Sequence, residues 1–140
     1  MISSEQRYAE AAFSAMKTDL TPNTPEANFF GSICHQFPAM VRLNGLRLTA
    51  IYYQAKAGTA SLADGSTARN KAYERYLKYL GQALDIRNSS LVQAANNDSS
   101  NASNYRMLTR QALAASVWFK RYAEAILRVE ASSDPEGELK

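Results

Sequence analysis

The chain has 140 residues, one cysteine, one histidine and a formal net charge of +3. A chain of that length can hold one core burying roughly 68–70% of its unfolded surface, and a single cysteine excludes an internal disulfide. No apolar run approaches the ~18 residues of a membrane span. The opening Met1-Ile2-Ser3-Ser4-Glu5-Gln6 lacks the basic-then-apolar pattern of a secretory leader, so a cytoplasmic protein is expected.

The hydrophobic spacing predicts an all-α protein: a compact single-domain bundle of five to six helices over residues 1–131, with a disordered acidic tail at 132–140. The first helix, 4–19, opens on a capping box formed by Ser3 and Gln6. After Thr21-Pro22-Asn23-Thr24-Pro25, Thr24 is the expected N-cap and Pro25 the first helical position of a helix over 26–36. Pro38 then either starts a new helix or kinks a continuous one.

The segment 38–57 is apolar nearly all round, with Val41, Leu43, Leu46, Leu48 and Ile51, and is expected to be the central, most buried helix. Asn44-Gly45 falls inside it, where glycine costs about 1 kcal/mol relative to alanine and Asn44 projects toward the apolar side. Close helix approach or a partner interface would each account for that pair.

Breakers from Gly58 to Thr67 precede a helix over 67–85, with Tyr73, Tyr76, Leu77, Leu80 and Leu84 turned inward. A short helix over 89–96 and a polar stretch from Asn96 to Asn104 come next. The longest helix, 103–131, carries a stripe of Leu108, Ala112, Ala115, Trp118, Phe119, Tyr122, Ile126 and Val129, in which Trp118 is expected to anchor the core. Pro135 and Gly137 ensure that it ends.

Catalytic parts are missing from this pattern. Cys34 and His35 are adjacent, so on a helix they face different ways, and no further histidine or cysteine exists to complete a zinc site. The carboxylates fall in no catalytic frame, and Gly58 and Gly65 lack the lysine and spacing of a phosphate loop. No enzyme activity, metal or cofactor is therefore expected. Aromatic stacking on single-stranded nucleic acid is the weaker reading of the tyrosines, because Tyr73, Tyr76 and Tyr122 fall on apolar stripes.

The informative residues are basic. Arg106, Arg110, Arg121 and Arg128 fall within about 60° of one another on the last helix, with Lys120 on the flank and only Glu124 within the row. Arginine forks two donors onto phosphate or carboxylate oxygens. A second basic face, Lys71, Arg75 and Lys78, lies on helix 67–85, with Glu74 placed to pair with Lys78 at i,i+4. The last seven residues hold three acids and one base; without them 15 basic and 10 acidic residues remain, a mild +5. Both rows could be solvated faces, phosphate contacts or contacts to acidic protein surfaces.

Two segments narrow these choices. Phe37-Pro38-Ala39-Met40-Val41-Arg42-Leu43-Asn44-Gly45-Leu46, running on through Thr49 to Lys56, resembles a stretch of the small all-helical subunit of the type III-B CRISPR effector, the Cmr or RAMP-module complex. Its pattern is a proline, an Asn-Gly-Leu step and an apolar helix ending in lysine. Tyr105-Arg106-Met107-Leu108-Thr109-Arg110-Gln111-Ala112-Leu113, then Trp118-Phe119-Lys120-Arg121-Tyr122-Ala123-Glu124-Ala125, is similar to that family's C-terminal helix.

The resemblance covers roughly a third of the chain. It implies a structural subunit without nuclease activity, stacked in more than one copy beside the guide RNA–target RNA duplex and touching other subunits of the effector. On that reading Arg106, Arg110, Lys120, Arg121 and Arg128, with Lys71, Arg75 and Lys78, face RNA. The alternative is a helical adaptor that binds protein only, through the same basic faces.

Overall fold

Helix α2 organises the molecule. In the computed structural model, which describes residues 3–17, 20–58, 68–86, 90–98 and 102–128, the elements are α1 (Ser4–Lys17), α2 (Pro25–Asn44), α3 (Leu46–Gly58), α4 (Ala68–Ala83), α5 (Leu91–Asp98) and α6 (Ala102–Tyr122). A π-helical turn, Ala123–Leu127, extends α6. α2 packs against α3, α4 and α6, while α1 lies across α4 and α6. No strand occurs among the described residues. The tail expected at 132–140, the boundary before it and Val129 of the apolar stripe lie outside the described residues.

The helix starts obey their capping chemistry. The Gln6 N–H donates to Ser3 Oγ at 3.1 Å. Thr24 is the N-cap of α2, its Oγ1 accepting from the Ala27 N–H at 3.3 Å, with Pro25 at the first helical position. Ser90 and Gln93 form a reciprocal capping box at the head of α5, with bonds of 3.1 and 3.2 Å. At the other end of α4, Asp85 takes φ 57° and the Ile86 N–H reaches the Gly81 carbonyl at 3.1 Å, a closure of the Schellman type. The Arg7 side chain adds a cap from α1, its Nε–H donating to the Ala83 carbonyl at 2.8 Å.

The break between the second and third helices falls at Gly45, and α2 runs straight through Pro38. Proline in a helix interior removes one backbone bond and costs about 3 kcal/mol. Around it, however, Ile33, Cys34, Phe37, Pro38 and Val41 are all buried, and that tertiary burial outweighs the local cost. Gly45 has φ 87° and ψ 159°, a region essentially restricted to glycine. Its N–H still bonds the Val41 carbonyl at 2.8 Å, and its own carbonyl accepts from Thr49 Oγ1 at 2.8 Å.

Moving the break changes which helix is central. α2 buries Phe30, Ile33, Cys34 and Phe37 completely. α3 buries Leu46, Thr49, Ala50, Tyr53 and Ala57 on one face only, so the expectation that 38–57 is the most buried helix fails. Leu43, Leu48 and Ile51 are 83%, 57% and 43% exposed, and Asn44 points to solvent instead of the apolar side.

Four helices meet in one aromatic cluster. Tyr76 of α4 has ring centroids 5.2 Å from Phe37 and from Phe119, 5.9 Å from Phe30 and 6.0 Å from Tyr53. Such edge and tilted pairs contribute about 0.5–1.5 kcal/mol each beyond their burial. α6 supplies Leu108, Ala112, Ala115, Ser116 and Phe119 to this core. Trp118 does not belong to it. It is half-buried on the α1–α6 seam, about 100° round the helix from the core direction. Its Nε1–H donates to Glu5 Oε1 at 3.2 Å and its ring lies 6.3 Å from Tyr122.

Two substitutions test this packing in denaturant unfolding. Phe119→Ala should lower stability by about 3–5 kcal/mol, and Trp118→Ala by clearly less, since its site already meets solvent. Gly45→Ala should cost about 1–3 kcal/mol through backbone strain, because the added Cβ itself meets only Tyr105 Oη at an ordinary 3.4 Å.

Candidate nucleic-acid interface

Helix α6 presents its arginines away from the core, with Lys120 on the flank of that face. Its buried residues centre on Ala115 and Phe119, and Arg110 and Arg121 fall about 180° from them. Arg106, Arg110, Lys120 and Arg121 are all exposed. Among the described residues none of the four has an ion-pair partner; the Glu5 carboxylate shares a surface depression with Trp118 and Arg121.

The row is not a continuous line of charge. Leu113, Ala114 and Val117 occupy the same angular sector between Arg110 and Lys120, and Val117 is 43% exposed. The face therefore carries two cationic steps, Arg106–Arg110 and Lys120–Arg121, about 15 Å apart along the helix.

Arg128 leaves this face. The π turn at Ala123–Leu127 closes i→i+5 bonds and takes in about one extra residue per turn, rotating the residues beyond it by about 100°. Arg128 is then the C-cap of that turn, exposed and left-handed, with φ 60° and ψ 37°.

The second basic face is divided as well. Lys71 and Lys78 are exposed on α4, the latter with its ammonium 5.3 Å from the centroid of the Tyr79 ring rather than on Glu74. Arg75 is turned toward α2, where its Nε–H donates to Glu26 Oε2 at 3.0 Å in a half-buried ion pair. These residues, with Glu74 and Tyr79, line an open depression of about 400 Å³. Its mixed charges make it a poorer polyanion surface than α6.

One residue of this region escapes a reading by periodicity. The break at Gly45 frees the first amides of α3, and the Arg47 N–H donates to Tyr105 Oη at 2.9 Å. Tyr105 thereby ties the head of α6, just before Arg106, to the α2–α3 corner. A tyrosine next to an arginine at the start of a helix gives no local sign of this 58-residue reach.

Cys34 is fully buried, and burial pushes its thiol well above the usual range. Tyr53 and Tyr76 are pushed up as well, first by burial and then by their neighbours: Tyr73, Cys34 and Tyr52 for the former, Cys34 and Tyr53 for the latter. Among the described residues no three His, Cys, Asp or Glu side chains are grouped to hold a metal ion, and no helix is long and apolar enough to cross a membrane.

Comparison with known proteins decides the family. A family model described as CRISPR-associated protein (Cas_Cmr5) matches residues 4–126. The chain belongs to that family. It is a subunit of the type III-B Cmr complex. The fold agrees: the X-ray crystal structure of a CRISPR-associated Cmr5 family protein from Thermus thermophilus superposes with a TM-score of 0.68 at 23% identity, over 92% of this chain and 100% of that one. No curated protein matches the sequence. The family match extends far beyond the two segments that carry the sequence resemblance, spanning all six helices of this Cmr5-family chain.

The raised thiol and phenols give a pH prediction. These groups are neutral when folded, so their contribution is fully present below their unfolded pKa values, about 8.5 for cysteine and about 10 for tyrosine. As pH climbs past those values the unfolded chain ionises first, and stability falls. The thermal midpoint should decline above about pH 8.5, and a Tyr53→Phe, Tyr76→Phe chain should show a shallower decline. An identical alkaline profile for the two chains would contradict the assignment.

Proposed function

We propose that this subunit is non-catalytic and lies along the guide RNA–target RNA duplex of the effector in more than one copy, touching phosphates through the outward face of α6. The observation that carries this reading is the exposure of Arg106, Arg110 and Arg121 on the side of α6 away from the core, with Lys120 exposed on its flank and no paired acid among the described residues. Two forked cationic steps suit a repeating polyanion, because arginine holds phosphate oxygens bidentately without reading a base. Membership of a family of Cmr-complex subunits is compatible with this reading, and the cytoplasm is where such a ribonucleoprotein would work.

On this reading Arg75 is a tie between α2 and α4, and Lys71 and Lys78 contribute only to the general positive field. Arg128, turned by the π segment, is a secondary contact. Cys34 is buried, and among the described residues no His, Cys, Asp and Glu side chains are grouped as a metal site, which is compatible with a structural role.

The test is the salt dependence of RNA binding by the assembled complex. Arg106→Ala with Arg110→Ala should weaken association and flatten the slope of log affinity against log salt, by about 0.7–0.9 for each phosphate left unneutralised, the upper figure being that of a duplex. The thermal midpoint of the isolated chain should not move, since neither side chain enters the core. An unchanged slope in this variant, with a flattened one in Lys71→Ala, Lys78→Ala, would move the RNA face to α4. Unchanged slopes in both would favour basic faces that meet acidic protein surfaces.

A further inference from the structure

Helix α3 is apolar on two faces, and the core uses only one. Leu46, Ala50, Tyr53 and Ala57 are buried. On the opposite side Leu48, Ile51 and Ala55 recur at i, i+3 and i+7, all exposed. The last turn of α2 continues this surface with Leu43, which at 83% is the most exposed large apolar side chain among the described residues, and with the half-buried Met40. Between the two helices runs a groove of about 560 Å³ lined by Met40, Asn44, Leu48, Thr49, Ile51 and Tyr52.

Scattered exposed leucines need no explanation, but a contiguous apolar surface marks an interaction site. An outward helix face is ordinarily polar. A stripe at i, i+3 and i+7 beside a groove is the arrangement that seats another helix.

The charges state what kind of helix fits. No Asp or Glu occurs between Glu26 and Asp64, so these two helices give the groove a purely cationic rim. Arg47 is exposed beside Leu48 and Ile51, and the Lys56 ammonium lies 5.3 Å from the centroid of the Tyr52 ring. Leucine and isoleucine offer no π-face, and the half-buried Tyr52 ring is already engaged by Lys56, Tyr53 and Tyr73, so the surface is a poor platform for stacked bases. The chain's own helices do not match it either. Among the described residues none exposes three apolar positions at this spacing beside acids, and α1 comes nearest with Phe13 alone next to Glu10.

We propose that the α2–α3 groove docks an amphipathic helix of a different subunit of the effector, with apolar residues entering beside Leu43, Leu48 and Ile51 and acidic flanks facing Arg47 and Lys56. The RNA-facing side of α6 is a separate surface, so this docking stands or falls independently of it.

The test reconstitutes the complex from its other subunits and guide RNA with either wild-type chain or Leu48→Asp, Ile51→Asp chain. Native mass spectrometry then counts the copies incorporated. The variant should incorporate about tenfold less or worse, with an unchanged or higher thermal midpoint, because both changed positions already meet solvent. Arg47→Glu with Lys56→Glu should give a smaller loss that grows at low salt. Benzoylphenylalanine in place of Leu43 should photo-cross-link to another subunit. Wild-type incorporation of the Leu48→Asp, Ile51→Asp chain would overturn the proposal, as would cross-links to a second copy of this chain or to RNA.

Discussion

The contact of Tyr76 with Phe30, Phe37, Tyr53 and Phe119 is the joint on which the molecule depends. These five rings come from α2, α3, α4 and α6, and they fix how each helix is rotated about its own axis. A helix whose inward residue is set has its outward residue set too, about 180° away. The functional surfaces are therefore consequences of the core. Phe119 facing Tyr76 sends Arg110 and Arg121 to solvent, and Tyr53 facing Phe37 and Tyr76 leaves Leu48 and Ile51 outside.

Gly45 makes this joint possible. Without a break, α2 and α3 would form one rod, and Phe37 and Tyr53 could not both reach Tyr76. The glycine conformation folds the chain back, the Tyr105 hydroxyl satisfies an amide that the break exposes, and the Asn70 side-chain amide donates to the Lys56 carbonyl at 2.7 Å at the far end of α3. α3 is thus held at both ends by polar contacts and along one side by rings. A short helix fixed so thoroughly, yet apolar on its outer side, would give the proposed partner helix a rigid platform. It avoids the ordering cost that a flexible surface would add on binding.

The sequence makes the helices, their caps and the inward faces of α4 and α6 legible, because these depend on local chemistry and on a 3.6-residue period. Ser3, Thr24, Tyr73, Tyr76, Leu108 and Phe119 all obey those rules. Pro38 misleads because its local cost is visible in sequence while the burial that outweighs it is not. Trp118 misleads because periodicity gives its angle but not the edge of the core, where an indole N–H can reach Glu5. The π turn that displaces Arg128 and the Glu26–Arg75 pair that draws Arg75 off the basic face are tertiary facts with no local signature. The double apolar character of α3 is present in the sequence, but it reads as a central helix until the break is placed at Gly45.

On the proposed reading, one core directs RNA and a partner protein to different outer faces of a small scaffold. Ultraviolet cross-linking of the reconstituted effector, with the cross-linked peptides identified by mass spectrometry, tests that division most directly. RNA-linked peptides are expected from 102–122, and none from 42–58. RNA-linked peptides concentrated in 42–58, with none in α6, would contradict the division.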